Sequence, residues 1–330
     1  MIKSIYFLPF FILLFIFQGC SSKQYFEPEN SKSIDIKIEY MDSDIIDYNS
    51  DGATLENGKF ISKDGISTIV LDKDYKFINN NNGIILSGDD NGSLSINNNN
   101  NIEKIKFDKT VVSASIKDNL IAFSLNNNSL NLYDLKTKKI VFSEYLKHSV
   151  INDIKISNPI FLDSIILYPT LDGKVVIVDI KKRIVVKSIN LDPKNDINNI
   201  IFLKTIGDSL IAASSNKVFS FVDGKATILD FDIRSITING NHIYIATLDG
   251  NLIKFNDKLQ ELKRKKFKFA KIHTIGYGKY LYALESQGYL IKLDDDFNKI
   301  DIFDFSFDED EKVISIDDKL YFEDEYIILK

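Results

Sequence analysis

The 330-residue sequence contains no tryptophan, one cysteine, two methionines, three histidines and five prolines. A lone cysteine excludes any internal disulfide and any metal site built from several cysteines. The histidines, His148, His242 and His273, form no HxH or HExxH spacing and have no cysteine beside them. They make no metal set and read as surface or packing residues. Nucleophile elbow, P-loop and glycine-rich dinucleotide fingerprints are missing too, which removes the usual sequence grounds for an enzyme. Neither sign of charge dominates. A net charge of −6 and an isoelectric point near 5.3 leave no basic face to neutralise phosphates, so no nucleic-acid partner is expected.

What is present is apolar sequence in short runs, 44% hydrophobic residues in all, enough for a sizeable core. No segment after the N-terminal stretch keeps a 3.6-residue period, which points to an all-β chain. Asparagine runs at Asn79 to Asn82, Asn97 to Asn101 and Asn126 to Asn128 separate the apolar runs. They read as turns, because Asn tolerates the left-handed region and bonds its own backbone. The one dense basic run, Lys263-Arg264-Lys265-Lys266, reads as a solvated strand edge or loop that discourages edge pairing, with a docking patch as the functional alternative.

The N-terminus carries its own signal. Behind Lys3, an apolar run of thirteen residues extends from Ile5 to Phe17, broken only by Pro9. That is too short to span a bilayer as a helix, so residues 1–19 are expected to be a signal peptide. The run ends in Phe17-Gln18-Gly19-Cys20-Ser21, which resembles a bacterial lipobox with Phe where Leu is usual. The resemblance makes Cys20 the lipidation site and new N-terminus; an ordinary secretory signal that happens to contain Cys20 is the alternative. Several acyl chains such as palmitate would anchor the protein stably, at about 0.8 kcal/mol per buried CH₂. Ser21 stands where, in enterobacterial lipoproteins, Asp favours inner-membrane retention, so the resemblance implies the outer membrane, facing the periplasm. Residues 20–33, polar and containing Pro28, are expected to be the lipidated tether.

Residues 34–330 repeat. A strand, turn, strand unit recurs from Gly58, Gly83, Asn119, Ser164, Ser209, His242, Tyr280 and Lys319. Taking Phe60, Ile84, Leu120, Ile165, Leu210, Ile243, Leu281 and Leu320 as equivalent, the mean step from Ile84 onward is about 39 residues, near the length of a four-stranded propeller blade. A shorter first step leaves seven blades open beside eight. Stacked blades bury both sheet faces, which suits the continuous apolar run Ile165-Ile166-Leu167, while strands near the axis favour small residues such as Ala212-Ala213-Ser214. Asp172-Gly173 and Asp249-Gly250 are hairpin signals of the type whose two central residues both take positive φ. The last repeat lacks an outer strand, and Ile34 to Tyr40 alternates with period two and has no blade of its own. That segment is expected to complete the last blade and close the ring.

Thr170-Leu171-Asp172-Gly173-Lys174-Val175, Thr247-Leu248-Asp249-Gly250-Asn251-Leu252 and the stretch from Tyr133 to Phe142 resemble PQQ-like propeller repeats, with Lys138 in place of the usual Gly and Phe142 in place of Trp. With the lipobox, the whole resembles the BamB family, lipoprotein subunits of the outer-membrane β-barrel assembly machinery. The resemblance implies a non-catalytic scaffold whose partners are a barrel-assembly protein and unfolded outer-membrane proteins. No cofactor is expected. By family resemblance PQQ-dependent dehydrogenases cage theirs with carboxylate, Arg, Trp and vicinal cysteines, a set this chain cannot supply. Asp294-Asp295-Asp296 with Asn298 and Asp301 is similar to a calcium loop but lacks its glycine and terminal glutamate, and like Asp308 to Glu311 it reads as a solvated turn. Two other functions remain: a ligand-binding or enzymatic propeller using its central channel for a sugar, peptide or quinone, and a surface lipoprotein involved in adhesion.

Overall fold

A computed structural model describes residues 24–33, 36–151, 153–195, 197–307 and 311–330. Every regular element among them is a strand, and the strands form eight sheets, which are the blades of a propeller. Blades 1 to 7 span residues 45–66, 76–106, 111–145, 160–190, 202–230, 233–266 and 272–304, each a four-stranded antiparallel meander. Blade 8 takes three strands from residues 313–328 and its outer strand from Ile38–Tyr40, which pairs antiparallel with Glu325–Ile328. The ring is therefore closed by an N-terminal strand. Its described extent is shorter than the expected Ile34 to Tyr40; Ile36 and Lys37 are irregular, and Ile34 and Asp35 lie outside the described residues.

Apolar residues gather in eight buried clusters, one between each pair of neighbouring blades. Both faces of every sheet are thus covered, which is why strands such as Ser209–Ala213 are buried at every position. Ala212 and Ala213 lie in this second strand of blade 5, packed between blades, and not in the strand nearest the axis as expected. Blade 1 is the thinnest. Its inner strands Ala53–Leu55 and Phe60–Ser62 have three residues each, and Phe60 stacks on Phe77 of blade 2 at 4.9 Å. Phe60 opens the third strand of its blade, whereas Ile84 and the other repeat markers sit in second strands, so the short first step came from matching unlike strands.

The Asp-Gly hairpins differ from expectation in a way that explains their sequence. Only the glycines have positive φ, 76° at Gly173 and 82° at Gly250. Thr170 donates its hydroxyl to Asp172 Oδ1 at 2.6 Å and accepts from the Lys174 N–H at 2.8 Å, and Thr247, Asp249 and Asn251 repeat the pattern. The motif is a four-residue loop locked by its own Thr and Asp. A Cβ on Gly250 would lie 2.5 Å from the Phe267 carbonyl oxygen, where the chain leaves the outer strand, so glycine is required there for space as well as for φ.

Of the expected tether, residues 24–33 are described. Phe26 is buried against the rings of Phe267 and Tyr289, and Lys32–Ser33 adds a fifth, parallel strand to the edge of blade 7.

Candidate functional site

First strands end each sheet, so their inner edges have no strand partner and face a central channel. Its cavity measures about 1130 Å³. Ser235 to Asn239 of blade 6 and Val313 to Asp318 of blade 8 line it as consecutive residues. Side chains alternate faces along a strand, so an unbroken run can line a space only if the strand presents its edge. The wall is therefore rich in main-chain donors and acceptors.

One end of the channel is crossed by the connection between blades 3 and 4. Lys155 donates to the Arg234 carbonyl of blade 6 at 3.0 Å, and the Ser157 N–H to Ile200, just before blade 5, at 3.2 Å. Ser50 of blade 1 donates to the Ile156 carbonyl. Asn158 accepts from the Ala114 N–H of blade 3 at 2.9 Å and donates to Ile78 of blade 2 and to Asp51 Oδ2 of blade 1. Arg234 and Ile78 lie in the first half of their strands, Ile200 just before its strand, Ala114 at the middle of Val111–Lys117, and Ser50 and Asp51 in the turn after the short first strand of blade 1, Ile45–Tyr48. Asn239, Lys279 and Asp317, at the far ends, are exposed around the other mouth.

Across the channel floor Lys204 of blade 5 meets Asp51 of blade 1 at 2.5 Å. Asp51 raises the Lys204 pKa. Burial pushes Asp51 up, but the Lys204 charge and hydrogen bonds from Lys204, Asn158 and Ser50 outweigh it and hold the carboxyl below its ordinary value. Lys155 lines the same end without an ion pair among the described residues; burial, helped by Arg234, lowers its pKa. Burial, with Arg234 and Lys155, lowers His273 to about 4, so this imidazole is neutral at pH 7.

Outside the crossing, the same connection exposes Val150, Ile151 and Ile154, each 41–54% accessible, and Ile197 from the connection between blades 4 and 5 stands equally exposed. The backbone beneath them is fixed. Ser149 donates to the Leu171 carbonyl, Asp153 and Asn199 exchange two hydrogen bonds, and Asn128 donates to the Lys147 carbonyl. Leu248 and Phe269, from turns that open on the same face around blade 6, are exposed too. Scattered single apolar residues carry no meaning, whereas several on one braced loop make a candidate interaction surface.

Comparison with known proteins adds two findings. The chain is 28% identical to plasminogen-binding protein PgbB of Helicobacter pylori strain J99 and 27% identical to that of strain 26695, in both cases over 89% of this chain. It spans 64% of the length of these relatives. No family model matches. Among solved structures, BamB from Moraxella catarrhalis superposes with a TM-score of 0.65 at 15% identity over 89% of this chain and 98% of that one. The C-terminal WD40 domain of Sif2 gives 0.63 at 12% over 91% and 99%. Both likenesses are of fold alone.

The sequence-predicted residues do not converge. Cys20 and the signal peptide lie outside the described residues, as do Asp308 to Asp310. His148 is exposed, His242 opens the second strand of blade 6, and His273 stands near the start of the first strand of blade 7. Asp295 pairs with Lys254, Asp296 with Lys263 and Asp301 with Lys32, while Asp294 accepts main-chain N–H groups of its own turn. Lys263 to Lys266 runs along the outer strand of blade 6. Of the asparagine runs, Asn79 to Asn81 belongs to the first strand of blade 2 and only Asn82 is in the turn; Asn79 donates to Ala114 and Ser115 of blade 3. Sequence reasoning missed Asp51, Lys155, Asn158 and Lys204. A signal existed in the two longest repeat steps, whose excess length is these connections: residues 146–159 and 191–201, against two residues between blades 5 and 6.

Proposed function

We propose that this chain is a non-catalytic envelope lipoprotein, anchored through Cys20, that docks a barrel-assembly protein on the face carrying Val150, Ile151, Ile154 and Ile197 and helps handle unfolded outer-membrane proteins. The braced apolar loop is the observation that carries this reading. A binding surface held in place before contact loses less conformational freedom on association, so even a small apolar patch gains affinity. The fold likeness to BamB supports the assembly role, and Lys32–Ser33 on the edge of blade 7 supports client handling, because it is a strand added from outside to a blade edge. Outer strands Lys139–Tyr145 and Ile184–Asn190, seven residues each, offer comparable edges for β-augmentation.

The test is photo-crosslinking from position 151 in the native cells, compared with an Ile151→Asp variant. The expected result is capture of the barrel-assembly core, reduced at least tenfold by the aspartate with the melting temperature unchanged. Equal capture by both proteins refutes docking on this face. The likeness to PgbB favours a second reading, surface display with plasminogen as partner. Binding of immobilised plasminogen together with loss of the protein on protease shaving of whole cells would select it.

A further inference from the structure

The channel is a cup, open at one mouth and closed at the other by residues 153–158 and the Asp51–Lys204 pair. Only a chain end can enter a blind cup; a loop would need room for two strands. Five consecutive lining residues on blade 6 give a depth of about 16 Å at roughly 3.3 Å per residue, enough for about five extended residues. The closing segment shows that the main-chain groups of this wall are open to partners: the side chains of Lys155 and Asn158 bond those of Arg234, Ile78 and Ala114, and the Ser157 N–H bonds the Ile200 carbonyl just before blade 5. An extended chain elsewhere in the cup meets the same kind of inner edge.

The floor selects which end enters. Lys204 keeps 47% of its side chain open, Asp51 only 19%. Lys155 contributes a second ammonium, while Asp153, the acid beside it, accepts from the Lys155 main-chain N–H instead. Of the acids that act on these two ammonium groups, Asp51 is largely covered, Asp153 is turned to main chain and Asp317 stands at the open mouth, so the charge left open at the floor is the Lys204 ammonium, which favours an incoming anion. We propose that the open half of the channel binds the carboxy-terminal end of an extended polypeptide, with its main chain along the inner strand edges and its terminal carboxylate at Lys204. This takes from the docking reading only that the ligand is a polypeptide, and either can fail alone.

Because main-chain groups do the recognising, a side-chain-neutral probe is sufficient: fluorescein-labelled hexa-alanine with a free carboxylate, and the same peptide as its carboxamide, titrated against the full chain by fluorescence polarisation. The free acid is expected to bind at least tenfold more tightly than the amide. Lys204→Gln should bring the acid down to the level of the amide, and Asp51→Asn, which frees Lys204, should tighten it. The Asp51→Asn/Lys204→Gln double variant keeps a neutral hydrogen-bonded pair and gives the same reading should Lys204→Gln fail to fold. Equal binding of acid and amide, no saturable binding of either up to millimolar protein, or undiminished acid binding by a folded variant lacking Lys204 overturns the proposal. Docking on the apolar face does not discriminate acid from amide, so the contrast separates the two sites.

Discussion

Truncating Asn158 to alanine tests whether the crossing segment is fixed to the ring. The side chain is 7% exposed and makes three contacts to three blades. Their losses are unequal. The Ile78 carbonyl keeps the Asn49 amide as donor at 3.1 Å, and Asp51 keeps Lys204 and Ser50. The Ala114 N–H loses its partner on the inner edge, and a buried orphan of this kind costs about 1–3 kcal/mol. With one hydrogen bond lost from a carboxylate and a small void, the sum is about 3 kcal/mol. At roughly 2.1 cal/mol/K per residue over some 300 folded residues, that lowers Tm by about 5 °C. Thermal melts read the total, and hydrogen exchange reads the place: amide exchange at Ala114 should accelerate by more than about tenfold, since each 1.4 kcal/mol of local protection is a factor of ten. Asn158→Asp keeps the volume and the acceptor but sets a second carboxylate against Asp51. It should cost at least as much at pH 7 and recover part of the loss on acidification. A melt within about 0.5 kcal/mol of wild type for Asn158→Ala, with unchanged exchange at Ala114, would refute the idea that the segment is held by these bonds.

Two further outcomes follow from the geometry. His273 has its pKa lowered to about 4 by burial and by Arg234 and Lys155, against an ordinary value of 6.5, so the native state favours the neutral ring. The stability this contributes is complete above pH 6.5 and is lost as the pH falls towards 4; Tm should drop over that window in the wild type and drop less in His273→Gln, and parallel pH profiles would contradict the assignment. Removing residues 34–40 strips the outer strand from blade 8 and uncovers the edge of Glu325–Ile328, so Tm should fall by at least about 10 °C; an unchanged melt would show that the ring does not depend on this closure.

The blades were legible because each is a local event. A hairpin such as Ser164 to Asp179 places strand, turn and strand within one short window, and the Thr and Asp of its loop bond each other across two residues. Blade 1 misled because strands of two and three residues carry no period, so Phe60 took the place of a second-strand residue. Asn79 to Asn81 misled for the opposite reason. A local preference for turns was overridden by partners on another blade, which give these side chains hydrogen bonds only the assembled ring can supply. The channel floor had no sequence signature beyond the long connection that carries Lys155 and Asn158: Asp51 and Lys204 come from blades far apart in the chain, and no spacing rule anticipates a contact made across the axis of a ring.

Fold likeness does not choose between functions here, because BamB and a WD40 domain superpose almost equally well on the chain. What is particular to this protein lies around blade 4. Its first strand, Ile160–Leu162, has three residues where blade 3 has seven in Val111–Lys117. Chain that would have extended that strand runs instead into the channel as residues 153–158, and the residues before it emerge as the exposed apolar loop. Shortening one inner strand therefore does two things at once: it closes one end of the channel, which makes a cup of the remainder, and it braces the docking face from below. A partner on that face presses against Val150, Ile151 and Ile154, which share a backbone with Lys155 and Asn158. The face and the cup are thus two sides of one segment of chain, and the hydrogen bonds of Asn158 set how stiffly they are joined.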